Sequence, residues 1–509
     1  MSHQTSQPQQ ADKMDKAPLL AAIDLGSNSF HMVVAQEFQG ELRTLDKRGE
    51  KVQLAAGLDE NNILSEEAMQ RGIDCLAGFA QHLQGFSPQS VSVLATNALR
   101  VARNRRDFVE RAEQALGYPI EVIAGREEAR LIYLGVSHTL ADDAGKRLVV
   151  DIGGGSTEFI IGERFESQAL ESLHMGCVSY TKRFLNDGKI SPARFRIAVE
   201  QAKRELLNIE QPYKKIGWQE VVGSSGTIRA TEQVMREQGW TEHGITRVGL
   251  KKLCDWLTSF TSIEELPLEE MKPQRKQVLV GGVAILQGIF EAFDIEVMHY
   301  SDGALREGAL WDLIGRNQHE DVRLRTVQSM QQRFHVDNEQ AERVATTAAM
   351  LISQIEKDWK LTNQANEWLM WAAELHEIGL SIAHNQFHKH GAYLVKHGDM
   401  LGFTRLGQDM LAIMIRNHRR KFALAEIELL AKPYQKVAKY LCVLLRLATL
   451  LNHSRGAVEL PDISVTVEEH SLKLKFPENW FEAHPLTFDD LAAETDYLQA
   501  AGFELLIEG

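Results

Sequence analysis

One stretch of this chain occurs twice. "AAIDLGSNSFHMVVA" (21–35) aligns without a gap on "LVVDIGGGSTEFIIG" (148–162), so that Asp24 falls on Asp151, Gly26 on Gly153, Ser29 on Ser156 and Met32-Val33-Val34 on Phe159-Ile160-Ile161. Each copy reads as an apolar strand with an acid at its end, a Gly/Ser turn, and a returning apolar strand. A buried carboxylate without a partner is expensive, so each turn is either wet or binds something. Two such hairpins, each heading an α/β segment, imply a duplicated domain with a cleft between the copies.

The flanking pattern agrees. "SVSVLATNALR" (90–100) reads as strand into loop, "NRRDFVERAEQALG" as a helix ending at Gly117, and "YPIEVIAG" as a short strand. "REEARLIYLGVSHTL" reads as a helix after Gly125, "EVVGSSGTIRATEQVM" (220–235) as strand, Gly/Ser turn and helix, and "HYSDGALREGALWDLIG" (299–315) closes the segment with a helix. From about residue 320 the apolar spacing becomes i, i+3, i+4, as in "NEQAERVATTAAMLISQIEKDW" and "QKVAKYLCVLLRLATLLNHS", which predicts an all-helical region. A tail of strands plus a helix follows. A chain of 509 residues is too long for one core, so three or four domains are expected.

Bulk properties exclude several classes. The net charge of −14, from 70 acidic against 56 basic residues, argues against nonspecific nucleic-acid binding but leaves room for a local basic channel. Cys75, Cys177, Cys254 and Cys442 show no CxxC spacing, so neither a zinc site nor a disulfide framework is indicated, and a reducing cytoplasm fits. The Gln-rich start lacks a signal-peptide core and reads as disordered over 1–17. The apolar runs 278–290 and 440–452 are too short to span a bilayer.

Three Gly-rich turns follow apolar strands: Asp24–Ser29, Asp151–Thr157 and Gly223–Thr227. Such turns let backbone N–H groups approach an anion, and Ser/Thr hydroxyls add donors. Carboxylates cannot hold phosphate directly, so Asp24 and Asp151 make sense with Mg²⁺ or water between them and a ligand's oxygens.

"DLGSNSFH", "DIGGGSTE" and "GSSGT" resemble the phosphate motifs of the actin, Hsp70 and sugar-kinase superfold. More closely, "AIDLGSNSFHMV", "ATNALRVARN", "GREEARLIYLGV", "VVDIGGGSTEF", "MGCVS" and "SDGALREG" resemble the exopolyphosphatase/guanosine-pentaphosphate phosphohydrolase family, over nearly the whole chain. The resemblance implies an α/β fold: duplicated ribonuclease H-like (actin-like ATPase) domains at 18–135 and 136–317 with a central cleft. An all-α HD-like domain at 318–457 and a small α+β domain at 458–509 would follow. It implies Glu128 as the water-activating base, with Glu127 the competitor, and Arg100 as a phosphate-contacting arginine. Asp151 is the first choice as Mg²⁺ ligand, with Glu158 and Asp24 beside it. Ser27, Asn28, Gly154, Gly155, Ser156, Gly226 and Thr227 are the anion donors.

"ELHEIG" (374–379) resembles the His-Asp pair of metal-dependent HD phosphohydrolases, but Glu377 stands in the Asp position and Thr449 where such enzymes carry a later Asp. With so many ligands missing, the helical domain reads as HD-like in fold and catalytically dead. Lys389, Lys396, Arg416, Arg419, Arg420 and Lys421 give it a basic face, read as a channel for a long polyanion against the alternative of a solvated surface.

Three functions remain. The first is Mg²⁺-dependent removal of terminal phosphate from inorganic polyphosphate, toward which "GGGST", "SDGALREG" and "RNHRRK" lean. The second converts guanosine pentaphosphate to tetraphosphate, and the third is a non-catalytic nucleotide sensor. The resemblance further implies a cytoplasmic homodimer, with attachment to the periphery of the inner membrane as the other placement.

Overall fold

The computed structural model describes residues 19–38, 41–140, 145–317, 322–455, 460–468 and 470–509. The tail at 1–17, residue 318 of the 317/318 boundary and both residues of the 457/458 boundary lie outside this set. The chain forms two compact units, Met1–Glu320 and Asp321–Gly509.

The first unit is built on two sheets of matching plan. In the first, β1 (Leu19–Leu25), β2 (Ser29–Phe38) and β3 (Glu41–Lys51) run antiparallel. β4 (Val91–Ala95) and β5 (Glu121–Val122) extend it in parallel on the β1 side, giving the order β3-β2-β1-β4-β5. In the second, β6 (Lys146–Ile152), β7 (Thr157–Glu163) and β8 (Glu166–Leu173) repeat the antiparallel trio. β9 (Glu220–Ser224) and β11 (Val297–Tyr300) add in parallel, and β10 (Ile245–Thr246) caps the edge. The two hairpins share one register: Asp24 sits opposite His31 and Asp151 opposite Glu158.

Strand periodicity fixes where those acids point. Ala21, Ile23 and Leu25 enter the first sheet's outer core, while Leu20 and Ala22 enter a core shared between the sheets. Leu148, Val150 and Ile152 face the second sheet's outer core, and Val149 the shared one. Asp24 is in phase with Leu20 and Ala22, and Asp151 with Val149. Both acids therefore lie at the strand ends on the shared side. Two helices fill that shared core, Gly125–Ser137 and Leu305–Asn317, contributing Ala129, Ile132, Tyr133, Ala309 and Leu310. The first of these helices runs across the expected 135/136 boundary.

Helix Pro273–Phe293 is longer than its apolar run suggests and is long and apolar enough to cross a membrane. However, 72% of its apolar window is buried, and Val283, Ile285, Leu286 and Ile289 pack in the core of the second sheet. That burial accounts for its composition. All four cysteines are free and buried.

The second unit carries helices Val322–Arg333, Asn338–Ile355, Asn363–Leu375, Phe387–His397, Arg405–Asn417, Leu424–Glu428 and Lys432–Leu451. The tail forms a sheet of β12 (Ser464–Glu468), β13 (Ser471–Lys475) and β14 (Glu504–Glu508) with helix Pro485–Ala500. Val465, Leu472, Leu491 and Leu505 join the same core as Val344, Leu369 and Leu441, so tail and helices share one interior. An ion pair is buried in it: Arg446, 1% exposed, donates to both carboxylate oxygens of Glu494 at 2.5 and 3.0 Å and to the Asn417 carbonyl at 2.6 Å. Arg446→Ala leaves that carboxylate buried and unpaired, so a loss of about 3–5 kcal/mol is expected in denaturant unfolding. An unchanged midpoint would contradict this role.

Candidate active site

The hairpin turns converge on a cavity of about 200 Å³ in the first unit. Ten of the residues singled out from the sequence line it: Asp24, Ser27, Asn28, Glu128, Asp151, Gly154, Gly155, Ser156, Gly226 and Thr227. Each hairpin turn has its carbonyls engaged from behind. Gln53 and Ala55 donate to the Asn28 and Ser27 carbonyls at 2.8 and 2.9 Å, and Cys177 and Val178 donate to those of Gly153 and Gly154 at 2.9 Å. The turns thus offer amides rather than carbonyls to an anion. They also approach closely, since a Cβ on Gly154 would stand 3.1 Å from Ser27 Cβ.

The third turn starts helix Ser225–Glu237, with Ser225 at φ 96°, a conformation that costs a non-glycine residue about 1–3 kcal/mol and clusters at functional sites. Ser224 Oγ anchors it by donating to the Gly303 carbonyl at 2.9 Å. At Gly226 the Arg275 guanidinium packs where a Cβ would go, so a side chain there would displace that arginine.

Three polar atoms on this wall are buried without a hydrogen-bond partner: Asp24 Oδ1, Asn97 Nδ2 and Thr227 Oγ1. Buried polar groups are nearly always satisfied, so three orphans around one cavity mark a ligand site. The carboxyls report the same deficit. Burial pushes Asp24 up to about 7, with Glu128 and Asp151 adding and Arg306 opposing. Burial also pushes Asp151 up to about 7, with the Glu128 charge adding. A cation between the two would relieve both. Among the described residues no three His, Cys, Asp or Glu side chains form a metal cage. The donor set instead fits Mg²⁺, which takes one or two carboxylates plus water and substrate phosphate.

Glu128 sits 8% exposed on helix Gly125–Ser137, its Oε2 accepting from Arg100 Nη1 at 2.9 Å. Burial raises its carboxyl above the usual range while Arg100 pulls it back. Glu127 is placed differently: Arg130 grips it at 2.7 and 2.9 Å and bridges to Asp312 at 2.6 Å, away from the cavity wall.

Two residues read as ligand contacts stand behind the wall. Arg100 Nη1 is shared between Glu128 and the Ile123 carbonyl, at 2.9 and 3.0 Å. Glu158, 1% exposed, accepts from Ser172 Oγ at 2.8 Å, and burial together with the Glu128 and Asp151 charges holds its carboxyl well above the ordinary value. The cations on the wall are Arg275 and Arg306 instead. Arg306 lies within the quoted "SDGALREG", and Asn97 within "ATNALRVARN", but neither was singled out. Arg275 sits in "MKPQRKQ", where nothing local distinguishes it. His31 also lines the cavity, and burial with Arg306 lowers it to about 4, so it is neutral at pH 7.

In the helical unit, Glu377 is paired with Arg455, and Thr449 Oγ1 donates to the Arg446 carbonyl at 2.8 Å. His376, His388 and His418 cluster there, with ring centroids 5.4 Å apart for His376–His418 and 6.3 Å for His388–His418. Burial lowers all three, His388 to about 4 with Arg416, Arg419, Lys389 and Arg420 adding. Arg416 pairs with Glu426 at 3.4 Å and Arg419 stacks on Phe387 at 4.7 Å, whereas Lys389, Arg420 and Lys421 are exposed. Histidines held neutral favour the fold above their unfolded pKa of about 6.5, and that stability is lost as pH falls toward 4. Hydrogen exchange in helix Arg405–Asn417 should therefore accelerate between pH 6.5 and 5 after correction for intrinsic rates. A flat profile would refute it.

Comparison with known proteins places the chain among characterised relatives. The family model described as Ppx/GppA phosphatase family matches residues 33–317, and the model described as Ppx/GppA phosphatase, domain III matches 322–495. Proteins named guanosine-5'-triphosphate,3'-diphosphate pyrophosphatase are 42% identical: one from Aliivibrio fischeri over 97% of this chain and 98% of its own, and one from Vibrio vulnificus with the same shares. An Aquifex aeolicus Ppx/GppA family structure aligns with TM-score 0.51 and 28% identity over 59% of this chain and 99% of its own. An exopolyphosphatase from Cytophaga hutchinsonii aligns with TM-score 0.54 and 24% identity over 58% and 98%, and shares the fold. The chain belongs to the Ppx/GppA phosphatase family and is a phosphoanhydride hydrolase.

Proposed function

We propose that this protein removes the terminal 5′ phosphate of guanosine pentaphosphate, releasing orthophosphate and guanosine tetraphosphate. The observation that carries this reading is the end-to-end match, at 42% identity, to relatives that bear the name of that substrate. The lean toward polyphosphate drawn from short motifs therefore gives way to the alternative.

In this reading the amides and hydroxyls of the three turns, with Arg275 and Arg306, cradle the terminal phosphates. Asp24 and Asp151 are the residues that would hold Mg²⁺, which would supply charge neutralisation on the phosphoanhydride. Glu128 accepts a proton from the attacking water, and Arg100 orients its carboxylate while favouring the ionised form. Glu158 stands opposite Asp151 on the neighbouring strand, held there by Ser172. The test is phosphate release from guanosine pentaphosphate, long-chain polyphosphate and GTP by one preparation. The highest kcat/KM should fall on the pentaphosphate, and a preference for polyphosphate would restore the other reading.

Polyphosphate stays as a second reading because Lys389, Arg416, Arg419 and Arg420 gather around His388 on the helical unit, which we take as HD-like and catalytically dead. Contacts of that kind weaken steeply with salt. Replacing Arg416, Arg419 and Arg420 together by Ala should weaken long-chain polyphosphate binding and flatten its salt dependence. Unchanged binding would leave these residues, with Lys421, as a solvated face.

A further inference from the structure

One ion pair ties the two halves of the duplication together beside the cleft. Lys47 on β3 stands opposite Val33 on β2, and Val33 packs in the core shared by the two sheets. Paired residues project to the same face, so Lys47 leaves β3 on the shared side. Its Nζ lies 3.0 Å from Oε1 of Glu307, in the first turn of helix Leu305–Asn317. β3 is the edge of the first sheet, whereas that helix follows β11 of the second. The contact therefore crosses from one half to the other.

The segment it acts on carries part of the site. Ala304, Leu305 and Arg306, immediately before Glu307, all line the cleft. Glu307 Oε2 accepts from the Ala304 N–H at 3.2 Å, the ordinary use of an acid in a helix's first turn. That cap needs one oxygen. The other, Oε1, is buried and faces Lys47 without an aligned hydrogen bond. A cap alone does not call for a lysine from the other sheet. The approach of this segment to helix Gly125–Ser137 is set by backbone packing, since a Cβ on Gly135 would collide with the Ala304 carbonyl oxygen and one on Gly308 with that of Leu131. Lys47 adds a tether from β3, passed on through Glu307 and Ala304 to the residues around Arg306. Lys47 is half exposed, and ion pairs open to solvent contribute little to folding. A misplacement of about 1 Å at a reacting centre, by contrast, costs up to about 10²-fold in rate. The effect of losing the pair should fall on turnover rather than on stability.

We propose that Lys47 and Glu307 form a latch across the cleft that holds Arg306 against the phosphoryl group being removed. Both are positioning residues, acting through Arg306 without touching substrate. The proposal rests on the reading of Arg306 as a phosphate contact given above.

The test is a double-mutant cycle in the full chain with Mg²⁺, reading kcat and KM on guanosine pentaphosphate and on tripolyphosphate together with the denaturant midpoint. The variants are Lys47→Ala, Glu307→Gln, their combination, Lys47→Arg and Arg306→Ala. The control is Arg48→Ala, the next cation on β3, which pairs with Asp46 and stands opposite Met32 of the first sheet's outer core. Lys47→Ala and Glu307→Gln should each lower kcat about tenfold on both substrates, with midpoints near that of the wild type. The combined variant should be no slower than either single one, because both break the same contact. Lys47→Arg should keep most of the turnover and Arg48→Ala all of it. Losses that multiply in the combined variant would mean that Lys47 acts on substrate by itself, and would overturn the latch. Unchanged kcat in Lys47→Ala, or a fall in midpoint that matches the fall in activity, would do the same. If Arg306→Ala is slow in that case, the latch alone fails; Arg306→Ala at the wild-type rate would remove the phosphate role of Arg306 and the latch with it. A wild type that cleaves only tripolyphosphate would overturn the guanosine reading, and the latch would still be decided on that substrate.

Discussion

Glu128→Gln should fold normally, bind its phosphorylated substrate and turn over about 10²–10⁴ times more slowly. The substitution keeps the size of the side chain and its acceptor oxygen toward Arg100 Nη1. What it removes is the carboxylate that can take a proton from water at the end of the cavity. Glu128 is suited to that task because burial raises its carboxyl while Arg100 keeps the charged form accessible. The control is Glu127→Gln, which weakens the buried Glu127–Arg130–Asp312 network. It should cost stability and leave the chemistry in place. Steady-state kcat read with equilibrium binding separates the two, and near-normal kcat in Glu128→Gln with Glu127→Gln inactive would reassign the base.

Asp151→Ala should abolish Mg²⁺-stimulated activity. Asp151 and Asp24 end equivalent strands on the face shared by the two sheets, and both are pushed up to about 7 where they stand. Removing Asp151 takes away one of the two carboxylates placed to hold a strongly hydrated ion against the phosphates. His376→Ala, in the helical unit, should leave the Mg²⁺ response as it was, because Glu377 beside it is already neutralised by Arg455. Activity in Asp151→Ala that still rises with Mg²⁺ would place the ion elsewhere.

The duplication was legible because strand periodicity and a conserved spacing of acid, glycine and serine survive in one sequence. The same alternation that makes residues 148–152 a strand decides that Asp151 faces the shared core. Helix 125–137 was legible as a helix, yet its place between the two sheets depends on long-range packing with 305–317, which no local pattern encodes. The site divides along the same line. Residues in the turns were found because glycine-rich turns have a local signature. Arg275 and Arg306 were not, since an arginine reaches a cleft from any surface position and only the fold decides which one does. Arg100 was recognised as important, but its partner is Glu128, a pairing 28 residues apart that spacing alone cannot give. The preference for polyphosphate rested on short motifs within one shared active site, and such motifs do not distinguish two substrates that present the same terminal phosphates.

The central claim is that water, activated in the cleft of the first unit, attacks the terminal phosphorus of guanosine pentaphosphate. Hydrolysis in ¹⁸O-labelled water, with products resolved by mass spectrometry, tests it most directly. The account predicts one labelled oxygen in the released orthophosphate, unlabelled guanosine tetraphosphate, and loss of both products in Glu128→Gln. Label in the nucleotide, or no hydrolysis of the pentaphosphate by a preparation that consumes polyphosphate, would contradict it.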